Sequence, residues 1–281
     1  MSSLTIACIT LNEANNLRDF FSNISEIADQ IVVLDSFSND ETEAICREFK
    51  VDFYQNKFKG FGDQWNYLLN SGFCKSDWVM KMDPDERLSR NLKKEIKEFI
   101  NQTKYRGALI KRNLYFNKLE TPASNLVLRI WKNGSCKFTN VLVNEHPVVK
   151  GKIKFLKGVM HHLDDLDLNE WIFKQLKYSD LEAITFIENR DLAFKPKILG
   201  NPMQRKMFLK KYFFHIPFRY LLLRIFLFVR YFSIKNFKGL NEWIWSRILV
   251  LKIIELKIMI EILRKIGRTL GLNPIIYKIL F

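Results

Sequence analysis

The stretch Trp78–Leu88, WVMKMDPDERL, decides how the chain reads. An apolar run ends abruptly in Asp83, Asp85 and Glu86, with Pro84 between the first two. Residues i and i+2 share one face of an extended segment, so Asp83 and Asp85 fall together. Like charges so close repel unless a cation joins them or water screens them. Two carboxylates on one face suit a hard divalent cation, which prefers oxygen ligands and bridges to phosphate oxygens. Taken alone, Asp-Pro-Asp after a strand also reads as a solvated turn. The neighbouring segments decide between the two.

Leu4 to Thr10 reads as a buried strand bounded by LNEANN, and Leu17 to Ala28 has helical spacing. Gln30 to Asp35, QIVVLD, is a second strand rich in β-branched residues. Ser38 and Glu41 form a capping box for a helix through Phe49. VDFYQN is a third strand, Asp63 to Leu69 a helix, and DWVMKM a fourth strand that ends in the opening stretch. This alternation predicts an α/β fold, a mostly parallel sheet with helices on both faces. Ligands in such sheets collect at the carboxyl ends of strands. Asn12-Glu13, Asp35 and Asp83-Asp85 all lie at such ends, so three polar clusters converge on one edge.

After Tyr105 the chain turns β-rich, with a turn expected at Asn133-Gly134. Asp167 and Glu170 then cap a helix with apolar positions at Leu168, Ile172 and Leu176. The expected division is a catalytic domain over 1–166 and a helical C-terminal region over 167–281. The net charge of +15 is unevenly placed. Residues 195–281 hold 18 Lys/Arg against 3 Asp/Glu, and the rest of the chain is balanced at 27 against 27. A neutral body with a basic end points to an anionic partner for that end. Arg219, Arg224 and Arg230 interrupt one apolar stretch there, and Arg247, Lys252, Glu255 and Lys257 another. Neither reaches the roughly 18 uncharged residues of a membrane span. With Phe228, Trp243 and Trp245 as interfacial aromatics they suit the surface of an anionic bilayer, although the projection is not cleanly two-faced. A packed helical subdomain with a solvated basic face is the alternative. Cys8, Cys46, Cys74 and Cys136 form no CxxC pair and read as free, packed thiols of a reducing compartment. The first apolar run is short and without a basic leader, so no signal peptide is expected.

ITLNEANNL, IVVLDSFSNDET and WVMKMDPDERL, followed by VNEHP and HHLDDLDLNEWIFKQLKYS, resemble family-two glycosyltransferases of the GT-A fold. The likeness is greatest to the bacterial lipopolysaccharide-core β-glucosyltransferase type and runs from about Leu4 to Ser179. The resemblance implies roles. Thr10, Asn12 and Glu13 would line a nucleotide pocket, and Asp35 would accept a hydrogen bond from uracil. Asp83 would contact ribose or metal, Asp85 would bind a divalent Mg or Mn on the donor diphosphate, and Glu145 would activate the acceptor. His162 would be a metal or diphosphate ligand, with His161 as the fallback. Where the family often has arginine, this chain has Trp65 before Asn66, so Arg129 is the candidate for the missing positive charge.

The implied reaction is inverting transfer of a hexose from a nucleotide diphosphate sugar, UDP-linked, to a glycan or lipid-linked saccharide. Its place would be the cytoplasmic face of the inner membrane. A sugar nucleotidyltransferase would carry a glycine-rich basic loop after the first strand, where this chain reads TLNEANN. Nucleic-acid binding through the basic end would leave the acidic strand ends repelling phosphate, so no nucleic-acid partner is expected. A non-catalytic membrane-binding relative would have no use for Asp83, Asp85 and Glu145 together. Sugar, acceptor, linkage and oligomeric state are not legible in the residues.

Overall fold

The structure is a computed structural model. It describes residues 2–101, 104–116, 119–139, 141–164, 168–187, 196–200, 204–205, 207–208, 212–213, 216–232 and 240–269. Two compact units are present, one of residues 1–140 with 144–166, the other of residues 141–143 with 167–281.

The first unit begins β1 (Leu4–Thr10), α1 (Ala14–Ile24), β2 (Gln30–Asp35), α2 (Thr42–Glu48), β3 (Asp52–Gln55), α3 (Phe61–Asn70) and β4 (Trp78–Lys81). β5 (Glu86–Leu88), α4 (Arg90–Ile100), β6 (Gly107–Phe116), β7 (Leu119–Lys132), β8 (Cys136–Phe138), β9 (Pro147–Val149) and β10 (Ile153–Asp164) follow. Eight strands form one sheet in the order β3-β2-β1-β4-β7-β6-β10-β5, and β8 pairs with β9. Four of the seven neighbour pairs in the large sheet are parallel: β2–β3, β1–β2, β1–β4 and β6–β10. The expected α/β class is observed.

Leu4, Ile6 and Cys8 of β1 face one core, with Phe20, Phe21 and Ile24 of α1 and Leu92, Ile96 and Phe99 of α4. Ala7 faces a second core on the other side, with Leu34, Trp65, Leu68, Val79 and Trp131. A strand buried on both faces reads as an unbroken apolar run, which is how β1 and β2 read. Ser89 caps α4, its hydroxyl accepting from the Leu92 N–H at 3.3 Å. At Gly158 an added Cβ would lie 2.5 Å from the Leu92 Cα, so α4 sits directly on β10. Gly134 has φ +74, the left-handed geometry of the expected turn.

Two local expectations shift. α1 starts three residues earlier and ends at Ile24, and Ala28 packs against the core from outside the helix. Ser38 does not cap α2: its hydroxyl donates to Asp35, and Glu41 holds the N-cap position without a side-chain bond. The Asp167–Glu170 cap lies outside the described residues.

The second unit is helical, with α5 (Leu168–Ile187), α6 (Arg219–Phe232) and α7 (Leu240–Thr269). Lys257 of α7 donates to the Leu176 carbonyl at 2.8 Å and pairs with Asp180 of α5 at 2.5 Å. Arg219 and Tyr220 of α6 bond to Glu255 of α7. Among the described residues, no helix is long and apolar enough to cross a membrane.

Candidate active site

β2, β1 and β4 run parallel, and their carboxyl ends form one edge: Thr10 pairs with Asp35, and Ala7 with Lys81. The connection from β1 leads to β2 on one side, while β4 lies on the other. β1 and β4 therefore flank a topological switch point, where the loops diverge and leave a crevice.

On the β1–β2 side the candidate nucleotide residues are bonded to one another. Asp35 is fully buried. Its Oδ1 accepts from the hydroxyls of Thr10 (2.9 Å) and Ser38 (2.5 Å), and its Oδ2 from the Ser38 N–H (2.7 Å) and Gln55 Nε2 (3.4 Å). The Asn12 N–H donates to the Ser38 hydroxyl, and Asn12 Oδ1 accepts from the Asn39 N–H. Asn12 holds φ +57, a conformation asparagine tolerates better than most residues. Glu13 opens α1, its N–H donating to Thr42 and its carboxylate accepting from Asn16. As the structure stands, the Asp35 oxygens hold the two loops together instead of presenting a free acceptor to a base.

On the β4 side the charges alternate along a row. Lys81 pairs with Glu145 Oε1 at 2.5 Å and lies 3.9 Å from Asp83 Oδ1. Arg129 of β7 pairs with Asp83 Oδ2 at 2.9 Å and also with Glu86. Arg112 of β6 pairs with Glu86 at 3.0 Å. Three carboxylates and three cations thus interleave: Glu145, Lys81, Asp83, Arg129, Glu86, Arg112. Desolvation would raise the Asp83 carboxyl, but Lys81, Arg129 and Arg112 overcome it and hold it well below the usual carboxylate range. Burial alone would lower the Arg129 guanidinium, and Glu86 with Asp83 reverses that and raises it.

Arg129, the expected source of positive charge, is turned to carboxylates in this structure. It is 4% exposed and spent on Asp83 and Glu86, since the fully buried Glu86 needs counter-charge. The expected metal set is also divided. Asp85 Oδ2 and His162 Nε2 lie 3.3 Å apart, while Asp83 is drawn to Lys81 and Arg129. Among the described residues no group of three or more His, Cys, Asp or Glu is arranged to hold a metal ion. An oxygen and an imidazole nitrogen side by side do fit a divalent ion whose other ligands come from a diphosphate and water. His161, the neighbour on β10, faces away from this pair and meets the Tyr115 hydroxyl at 3.1 Å.

Glu145 lies in the loop between β8 and β9. Thr139 and His146 close that loop, the Thr139 N–H donating to the His146 carbonyl and the His146 N–H to the Thr139 hydroxyl. Asn66 of α3 holds β8, donating to the Phe138 carbonyl and accepting from its N–H. Trp65 stacks on Phe138 with ring centroids 5.3 Å apart, and the Lys81 ammonium sits 4.6 Å from the Trp65 ring. So the cation beside Trp65, where the resemblance led to an expected arginine, is Lys81 of β4. Lys81 and Arg112 escaped the sequence reading, as did the burial of Glu86 between two arginines and the stacking of Trp65 on Phe138. A lysine inside the apolar run WVMKM was the available signal. The cysteines are free, and burial pushes the Cys46, Cys74 and Cys136 thiols up to about 12. They are protonated near neutrality and serve packing, not nucleophilic chemistry.

Residues 5–149 match the family model described as Glycosyl transferase family 2. The chain belongs to glycosyltransferase family 2. An uncharacterised glycosyltransferase of Rickettsia felis is 26% identical over 218 residues, 72% of this chain and 74% of that protein. LpsC of Rhizobium meliloti, a lipopolysaccharide core biosynthesis glycosyltransferase, is 26% identical over 198 residues, 66% of this chain and 72% of LpsC. The crystal structure of S. aureus TarS 1–349 in complex with UDP-GlcNAc is similar with a TM-score of 0.49 and 14% identity. That match covers 90% of this chain and 81% of the TarS chain. In this glycosyltransferase the family segment contains the candidate residues from Thr10 to Glu145, while His162 lies beyond it.

Proposed function

We propose that this glycosyltransferase moves a hexose from a UDP-sugar to a hydroxyl of a lipid-linked or lipopolysaccharide-core saccharide, with inversion at the anomeric carbon. The observation that supports this reading is that the segment leaving β4 carries two contacts four residues apart, Lys81 with the base candidate Glu145 and Asp85 with His162.

Asp85 and His162 would hold a divalent Mg or Mn. Bound there, such an ion stabilises charge developing on the leaving diphosphate. Thr10, Asn12 and Glu13 shape the nucleotide side of the crevice, and Asp35 fixes their loops. Glu145 takes the proton from the acceptor hydroxyl as it attacks the anomeric carbon. Lys81 engages Oε1, so Oε2 is the oxygen assigned to that proton. One base with in-line attack gives inversion; retention through a covalent intermediate requires a second carboxylate as nucleophile.

The likeness to LpsC supports a lipopolysaccharide-type acceptor. The basic end supports work at the inner, anionic face of a membrane. Phe218, Leu221, Leu222, Ile225 and Phe226 are 52–79% exposed and recur at helical spacing on and beside α6, a helix without an acidic residue. A panel of nucleotide sugars tests the reaction, with proton NMR of the product anomer. Consumption of a UDP-hexose with inverted configuration is expected. Retained configuration, or turnover of no UDP-sugar with rough lipopolysaccharide as acceptor, contradicts it.

A further inference from the structure

We infer that Lys81 is a positioning residue that registers the base candidate Glu145 to the strand carrying the donor-side aspartates. The inference rests on the reading of Glu145 given above.

Lys81 is the last residue of β4 and 7% exposed. A lysine so buried is rare unless paired. Its surroundings come from four places in the chain. Glu145 Oε1 lies at 2.5 Å and Asp83 Oδ1 at 3.9 Å. The Trp65 ring lies at 4.6 Å and the Phe138 ring at 5.4 Å. An ammonium between two carboxylates and two aromatic faces has little freedom to move. Asp83 is itself held from the far side by Arg129, so the ammonium is anchored to the sheet and not only to its own stem.

Among the described residues, the side-chain partner found for Glu145 is Lys81. Glu145 sits in the β8–β9 loop, after Asn144 at φ +57. A base must be held to within about half an ångström of its working position, and a loop residue with three side-chain torsions does not hold itself there. The Lys81 contact supplies that restraint. Asp83 and Asp85 follow Lys81 by two and four residues on the same chain segment. The base is thereby set in register with the diphosphate side, although 64 residues separate it from Lys81. A residue acting in this way affects the proton-transfer step, not donor binding.

A double-mutant cycle on the full chain tests this. UDP release from UDP-glucose, with water or rough lipopolysaccharide as acceptor, is measured for wild type, Lys81→Met, Glu145→Gln and the double variant. UDP binding by calorimetry runs in parallel. Lys81→Gln, one atom shorter but still carrying a hydrogen-bond donor, serves as the second variant should methionine compromise folding. The expected result is a fall in kcat of up to about 10²-fold for Lys81→Met, the scale of a misplaced reacting group, with the donor KM and UDP binding near wild type. In the Glu145→Gln background the same change should cost less than about twofold, since nothing remains to position. A purely structural role would multiply the two losses and weaken UDP binding as well, and that pattern overturns the inference. Normal turnover in Lys81→Met and Lys81→Gln beside a crippled Glu145→Gln overturns it alone. Normal turnover in Glu145→Gln removes the base assignment itself.

Discussion

The two units use charge and apolar surface in opposite ways. In the sheet unit the site charges are turned inward, where cations and carboxylates alternate from Glu145 to Arg112. In the helical unit Arg219–Glu255 and Lys257–Asp180 tie helices together, and large apolar residues of α6 and α7 face outward. The lesson concerns fixed versus yielding surroundings. A low-dielectric row of paired charges fixes side chains at a site that must hold a reacting group. An exposed apolar face next to basic residues fixes nothing and gains only when another phase covers it.

The largest effect that would break this contrast is on stability. Arg129→Met removes one cation and leaves Glu86 and Asp83 short of counter-charge. Losing one partner of a buried pair costs about 3–5 kcal/mol, so urea unfolding should show a loss of that order. A loss under about 1 kcal/mol would mean the row is not what holds the crevice. The sign with pH follows from Asp83. Its carboxyl is depressed in the folded chain, so its contribution is complete above about pH 4 and drains as pH falls below that. In Arg129→Met that acid dependence should flatten.

The next effect belongs to the other unit and should leave stability alone. Phe226→Glu and Leu222→Glu change exposed α6 positions, where surface substitutions alter stability by about 0.5 kcal/mol or less. Burying one such side chain is worth about 1.5–3 kcal/mol. Sedimentation with phosphatidylglycerol vesicles should therefore fall about tenfold or more in either variant. High salt should release part of the wild-type protein. Equal sedimentation of wild type and variants would return α6 to a packed or self-associating face. Arg219 is unsuited to charge reversal because Glu255 binds it.

The sheet was legible where apolar runs end in turn chemistry. β1 and β2 fall where LTIACIT and QIVVLD placed them, because strands buried on both faces leave little ambiguity. The shared face expected of Asp83 and Asp85 is not observed: β4 ends at Lys81, Pro84 and Asp85 form a turn in which the Glu86 N–H donates to the Asp83 carbonyl, and the two carboxylates meet different partners. The row of charges was not legible either. Arg129 meets Glu86 across 43 residues and Lys81 meets Glu145 across 64, and such partners are set by strand order, which no local pattern encodes. The Ser38 expectation failed because Asp35, three residues back, competes for the same hydroxyl. On α6, the sequence showed no clean two-faced pattern. The structure separates outward Leu221, Leu222, Ile225 and Phe226 from half-buried Tyr220, Leu223 and Leu227, since apolar residues occupy both faces and only packing tells them apart. The side chains of Phe228, Arg230, Trp243 and Trp245 lie outside the described residues.

The central claim is that the β4 edge binds a UDP-sugar through a divalent ion at Asp85 and His162. Calorimetry of UDP binding to the full chain and to Asp85→Ala, each with Mn²⁺ and with a chelator, tests it most directly. The account predicts that Mn²⁺ tightens binding about 10- to 100-fold in the wild type, the scale associated with groups that support a metal site. Asp85→Ala should lose most of that gain while keeping the chelator-level affinity. Equal affinity with and without Mn²⁺, or an Mn²⁺ gain untouched by Asp85→Ala, would contradict it.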